Sequence, residues 1–340
     1  MRTLVISDLH LGNRGRRDVL RLPAIRERLL AACAGVERVV LLGDTVELMH
    51  RQPRRSMVAA APVLRALGQS LGPDREVVVV PGNHDGPLLR SWALAQGTRL
   101  EASHAVPPTA SPALERLTSW LAPARTRVSY PGVWLGDGIW ATHGHYLDHH
   151  LRPDSAVGLL RRAGHDARAT TPMEYERLHR RGGRSRESLP ARLITRPVAT
   201  VIQTTLERLR VLPQIMLNTG MAPVTAKLLD VQMRRCATPA MARVLQRLGI
   251  DAEWVLFGHV HRRGPIGDEP WPDARGPRLI NTGAWLYEPL LVDRATAPHP
   301  YWPGGAVLLE DGQSPRSVAL LDDVGHEDLR GAGPRGVSAG

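Results

Sequence analysis

The chain of 340 residues contains only two cysteines, Cys33 and Cys236, far apart in sequence. Two distant thiols cannot make a disulfide framework, which excludes a small stapled secreted domain and leads us to expect a reducing, cytoplasmic setting. Aromatic residues are also scarce, with one Phe, five Tyr and eight Trp. Lysine is nearly missing: Lys227 stands alone against 43 arginines, a ratio that resembles high-GC coding bias. No stretch approaches the roughly 18 apolar residues of a membrane span. Arg2 leads straight into a short apolar run, so no signal peptide is expected. From about Gly325 the chain is Gly-rich and polar, and 326–340 is expected to be a disordered tail.

Against these absences stand five short motifs in one order: Asp8-Leu9-His10, Gly43-Asp44-Thr45-Val46-Glu47, Gly82-Asn83-His84-Asp85, His143-Gly144-His145 and Gly258-His259-Val260-His261. Each follows an apolar run: Thr3–Ile6, Arg38–Leu42, Val77–Val80, Gly138–Ala141 and Glu253–Phe257. Runs of this length bounded by Gly or Pro predict strands buried on both faces. Helical patterns fall between the first three, near Pro23–Cys33 and Met57–Leu71. Strand and helix in alternation predict a layered α/β sheet, in which ligands gather beyond the carboxyl ends of the strands.

Two-residue spacing in Asp8/His10 and His259/His261 puts both side chains of each pair on one side of an extended backbone. Gly43, Gly82 and Gly258 allow the turns that bring backbone close to a metal. Asp44 can offer one oxygen to each of two ions, and Asn83 an amide oxygen. Any one motif is an ordinary turn or loop sequence; five in order, each behind a strand, point to a metal site. Oxygen and imidazole donors without thiolate argue against structural zinc. They suit two divalent ions, Mn²⁺ with Fe²⁺ or Zn²⁺ as alternatives. His145 reads as an orienting residue, not a ligand.

Together the motifs resemble the calcineurin-like metallophosphoesterase superfamily, over about residues 1–150 and 250–285. The resemblance implies an α/β fold, a two-sheet β-sandwich flanked by helices. Carried over residue by residue, it implies that Asp8, His10, Asp44 and His261 hold one metal. Asp44, Asn83, His143 and His259 hold the other, so that Asp44 bridges. It further implies that His84, oriented by Asp85, stabilises the transition state or protonates the leaving group. Asn281-Thr282-Gly283-Ala284 resembles the family's Asn-x-Gly-Ser stretch, and Glu47 stands where many members have Asp, at a position that is not a ligand. The nearest comparison is the UDP-2,3-diacylglucosamine hydrolase type. It shares Asp-x-His-Leu, Gly-Asp-x-x-Glu and a helical insert that covers a lipid, but usually has Arg in place of His84 and a shorter insert.

Two divalent ions about 4 Å apart can lower the pKa of water from near 16 to near 7 and neutralise both ends of an in-line displacement. The expected activity is therefore phosphoester hydrolysis by a bridging hydroxide attacking phosphorus in line, on a small or lipid-linked phosphorylated substrate, mono- or diester.

Charge divides the chain. Residues 151–250 hold 17 Arg and one Lys against seven acidic residues, a net of +11, which is the whole excess of the molecule. This segment separates His143 from His259, and we expect a helical basic cap inserted into a core of 1–150 and 251–325. Met241, Val244, Leu245 and Leu248 follow a helical period, as do Val198, Val201, Ile202, Thr205 and Leu209; Leu228, Leu229 and Met233 hint at another face. Arg161 to Arg186 is Arg- and Gly-rich and reads as a mobile loop. An anionic target fits the charge: a phosphorylated metabolite, nucleic acid, or a membrane surface touched peripherally. A solvated basic face is the plain alternative. Arg177, Arg180 and Arg181, with Arg14, Arg16 and Arg17 after the first motif, are the candidate substrate residues. A nuclease is the alternative enzyme, weakened because Tyr175 is the segment's single aromatic where stacking needs several. A non-catalytic scaffold is disfavoured by the complete ligand set and His84.

Overall fold

A computed structural model describes residues 1–331 apart from 14, 50, 51, 137, 154–160, 164–167, 183–225, 228, 232, 268 and 270–275. Three parallel strands open the fold: β1 (Arg2–Ile6), β2 (Arg38–Leu42) and β3 (Glu76–Val80), in register from Thr3 to Arg38 and from Arg38 to Glu76. Their crossovers are α1 (Pro23–Cys33) and α2 (Pro53–Leu71). α2 begins four residues before the expected Met57, because Pro53 sits in its first turn, where a missing N–H costs nothing. The chain continues through α3 (Arg90–Gln96), β4 (Ser103–Val106), α4 (Pro112–Trp120, capped by Ser111), β5 (Arg125–Gly136) and β6 (Ile139–Thr142). After a short ribbon, β7 (Leu151–Pro153) with β8 (Arg161–Ala163), come α5 (Pro172–Gly182) and α6 (Thr238–Leu248). The last elements are β9 (Trp254–Phe257), β10 (Arg263–Gly264), β11 (Arg278–Thr282), α7 (Pro289–Val292), β12 (Gly305–Glu310), β13 (Arg316–Ala319) and α8 (His326–Arg330).

Among the described residues, eleven strands form one mixed sheet in the order β10-β11-β9-β6-β5-β3-β2-β1-β12-β13, with β4 also on β5. The expected sandwich of two separate sheets is thus corrected to a single sheet. The reason is β5: its 12 residues are long enough to pair with β3 up to Val128 and with β6 from Gly132. The sheet folds over there, and its far side comes back to β12, where a Cβ on Gly305 would collide with the Thr282 carbonyl. The result is a nearly closed, barrel-like layer.

Strand alternation assigns the two faces. Val5, Val40, Leu42, Val78 and Val80 meet Val133, Leu135, Leu256 and Ile280 inside the fold. Leu4, Ile6, Val39, Leu41, Val77 and Val79 point outward against the helices, among them Leu29 of α1 and Leu64 and Leu67 of α2. Each such side chain contributes about 1.5–3 kcal/mol on burial, so the strands have no solvent face to spare. Over the other half, Trp140, Val255 and Phe257 lie under Met241, Val244 and Leu245 of α6, on the periodic face expected for that helix. Cys33 and Cys236 are buried in different apolar clusters.

Two expectations are revised. The segment expected to be a mobile loop contains α5, because Met173 and Tyr175 bury one face of it against the core. The tail expected from 326 begins with α8, held by His326 against Tyr287 (2.8 Å). Val198, Val201, Ile202, Thr205, Leu209 and Leu228 lie outside the described residues, as does all of 183–225 and hence most of the expected cap. No helix among the described residues is long and apolar enough to cross a membrane.

Candidate metal centre

Strands β1, β2, β3, β6 and β9 end immediately before the five motifs. The parallel pairings β1–β2–β3 and β6–β9 put these ends on one rim, where the motif residues converge. Beyond the strands the backbone is not extended, contrary to the reading of the two-residue spacings. Asp8, His10, Asp44, His259 and His261 have φ of 55°, 44°, 50°, 70° and 57°. Non-glycine residues adopt this left-handed region at a cost of about 1 kcal/mol or more each, and such outliers gather at functional sites. Gly43 (φ 88°) and Gly82 make room for the turns: a Cβ on Gly43 would overlap the His143 ring, and one on Gly82 would overlap the Asp44 carboxylate.

Three groups of donors result: Asp8 with His10 and His261, His10 with Asp44 and His84, and Asp44 with His143 and His259. Asp44 Oδ2 is common to the site. It lies 3.2 Å from His143 Nε2, 3.7 Å from His10 Nε2 and 4.0 Å from His84 Nε2. Its other oxygen, Oδ1, accepts from the His84 backbone N–H at 2.8 Å. Oδ2 is thus the Asp44 oxygen near imidazoles of both donor sets, while Oδ1 is held by the His84 backbone. Asn83 Oδ1 is 3.0 Å from His143 Nε2, and the His10 and His261 Nε2 atoms are 3.2 Å apart. Nearly all these groups are buried. The His261 side chain, 19 % exposed, marks the open side.

Residues beyond the expected ligands set the orientations. Glu47 reaches His10 Nδ1 with Oε2 (3.1 Å) and His84 Nδ1 with Oε1 (2.7 Å), turning both Nε2 atoms toward Asp44. Asp85 does not orient His84 by hydrogen bonding, contrary to expectation. Its oxygens accept from the backbone N–H groups of Thr45, Val46 and Gly82 at 2.9–3.1 Å and tie two motif loops together. Asp148 lies 2.9 Å from His259 Nε2, which leaves Nδ1 to face the cluster. Asn281 donates to the Gly258 carbonyl (2.6 Å) and holds the last motif's turn. The roles of Glu47 and Asp148 were missed in sequence. The available signal was a carboxylate within a His-rich run five residues after His143, with no periodicity to single it out.

Electrostatics follow from this crowding. Burial alone would raise the Asp44 carboxyl, but His143 and His84 hold it well below the usual range. Burial opposes charge on His84, yet Asp44 and Glu47 outweigh it and lift the imidazole to about 10. His143 is lifted to about 9 in the same way, burial being overcome chiefly by Asp44. Buried His259 Nδ1 has no hydrogen-bond partner among the described residues, and buried Asp8 Oδ1 faces the imidazoles of His261 (3.2 Å) and His10 (3.8 Å); each atom belongs to one of the donor groups. Buried polar atoms are normally paired. Oxygen and imidazole donors crowded around a shared carboxylate oxygen, one of them unpaired, fit divalent cations.

The candidate substrate residues are spread more widely. Arg16 is exposed, and Arg17 pairs with Glu288 at 2.8 Å. Arg177 is on the solvent face of α5, which also carries Arg180 and Arg181. Nothing is described of the Arg180 and Arg181 side chains, and Arg14 lies outside the described residues. His145 is buried, its Nε2 3.4 Å from the Tyr130 hydroxyl and 3.9 Å from Glu176 Oε1.

Residues 1–180 match the model of the calcineurin-like phosphoesterase family, and the chain belongs to that family. It is accordingly a metal-dependent phosphoesterase. Similar solved structures include a dimetal phosphatase from Danio rerio (13% identity, TM-score 0.38, 94% of this chain and 99% of that one). Another is a cold-active protein-tyrosine phosphatase from a psychrophilic Shewanella (11%, 0.31, 93% and 80%). No curated protein matches the chain.

Proposed function

We propose that Asp8, His10, Asp44 and His261 hold one divalent ion and Asp44, Asn83, His143 and His259 a second, and that the chain hydrolyses small or lipid-linked phosphoesters. The observation that carries this is Asp44 Oδ2, one buried oxygen with imidazoles of both sets within 3.2–3.7 Å. Bound there, a pair of ions, Mn²⁺ in our assignment, supplies acidified water and neutralises charge building on the phosphoryl oxygens. The chain's own residues do the rest. Against burial, Asp44 and Glu47 lift His84 to about 10, so its ring is an imidazolium: Nδ1–H donates to Glu47 and Nε2–H is turned toward the reaction centre. It donates that proton to the departing ester oxygen, as a general acid. Asp148 and Glu47 keep His259 and His10 turned to the centre, and burial excludes bulk water from all but the His261 side. The excess of +11 in 151–250 supports an anionic substrate.

The test is hydrolysis of bis-p-nitrophenyl phosphate. Activity should vanish after exhaustive chelation and return with Mn²⁺; activity that survives chelation overturns the reading.

A further inference from the structure

We propose that His145, His149 and His179 form a subsite beside the second ligand set that binds a hydroxyl-bearing group carried on the substrate phosphate. This rests on the phosphoesterase reading above.

The turn His145–His150 begins at the last residue of the fourth motif, and α5 is fastened across it. The Tyr146 and Tyr175 rings stack at 4.6 Å and 9°, and His150 Nε2 meets the Tyr175 hydroxyl at 2.6 Å. Glu176 accepts from the Tyr146 hydroxyl at 2.7 Å and from that of Tyr130. His179 lies three and four residues beyond these anchors, hence on the same helix face. Its ring centre is 5.7 Å from His145 and 6.1 Å from His149. His145 in turn is 5.7 Å from His143 and 6.4 Å from His259, so the three imidazoles continue the second ligand set outward.

None of this cluster is used by the metal centre, yet it has hydrogen-bonding capacity to spare. His145 Nδ1 and His149 Nε2 are buried without a hydrogen-bond partner among the described residues. His179 forms no hydrogen bond with a described residue. His149 and His179 are each only partly buried, so the outer side of the cluster keeps some exposed surface. Leaving such atoms unpaired is costly, so the arrangement calls for a bound partner. Burial takes His149 down to about 4, which keeps its imidazole neutral. A neutral imidazole offers one donor and one acceptor. That combination matches hydroxyl groups, which also do both; a phosphate oxygen only accepts.

The test compares glyceryl p-nitrophenyl phosphate, with two free hydroxyls, and its propyl counterpart, with none, on the Mn²⁺-loaded full chain above the enzyme-free rate. The wild type should favour the glyceryl ester by about tenfold or more in kcat/KM, the scale of one or two hydrogen bonds. The double variant His149→Phe/His179→Phe should bring that ratio close to one. His179→Asn, which keeps a donor and an acceptor on a partly exposed helix position, should retain most of it and serves if the double variant does not fold. Equal rates for the two esters in the wild type, or an unchanged ratio in the double variant, overturn the subsite. So does a metal count of three per chain that falls to two in the double variant, since the cluster would then hold a cation. If the wild type hydrolyses neither ester with Mn²⁺, the phosphoesterase reading itself fails and the subsite falls with it.

Discussion

Asp44 and Glu47 each serve two masters in this site, and single substitutions separate their duties. Asp44→Asn removes the charge of the oxygen shared by both donor sets, so metal analysis should find no more than one ion per chain. His84→Asn should keep two ions and lower kcat by roughly 10²–10⁴, the scale of a lost general acid; a normal rate would remove His84 from the mechanism. Glu47→Gln should do some of both, because a carboxamide can accept from only one of the two imidazoles. We expect metal retention weakened by about 10–100-fold. Asp18 illustrates a different residue-scale effect. It is 4 % exposed, and burial raises its carboxyl from 3.8 to about 6. A raised acid means that the folded chain binds the proton more tightly than the unfolded one. Its contribution is therefore most favourable below pH 4 and is lost as pH rises through 6, costing about 2–3 kcal/mol at neutrality. Asp18→Asn should raise stability to urea at pH 7.5 and change it far less at pH 4.5; equal effects at both would refute the assignment.

At the scale of elements, α5 is the piece whose behaviour departs most from its composition. Arg177 and Glu174 face solvent, and an Arg-rich stretch read by charge alone looks like a loop. Tyr175, fully buried against Tyr146 and His150, makes it a wall of the site. Tyr175→Ala should accordingly cost about 3–5 kcal/mol in urea unfolding, as large-to-small core changes do, while Arg177→Ala should stay within about 0.5 kcal/mol. A loss below 1 kcal/mol for Tyr175→Ala would mean that α5 is not anchored.

For the molecule as a whole, the site is a cluster of buried charge and imidazole built on strained backbone, so ligand occupancy and stability are linked. Ions that bind only the folded chain stabilise it by mass action, about 2.7 kcal/mol at a hundredfold excess over Kd. Chelation should lower Tm, and Mn²⁺ should restore it in a concentration-dependent way. A Tm indifferent to metal would count against ions at these buried donors.

Much of this was determined by sequence alone. Apolar runs before Asp8, Asp44, Asn83, His143 and His259 specify buried strands, since burial on both faces admits only such residues, and the motif order follows from where strands end. The donor chemistry needed no structure, because residue type decides it. Tertiary structure decided what depends on contacts between distant segments. It made β5 long enough to join both halves of the sheet. It gave His84 to Glu47 and left Asp85 to the backbone, a matter of Å-scale reach that spacing cannot encode. It set the ligands in left-handed backbone where alternation had suggested extended chain. And it brought His179 to His145, because helix–core packing acts on which face is buried, while the charge that dominates the local sequence stays on the other.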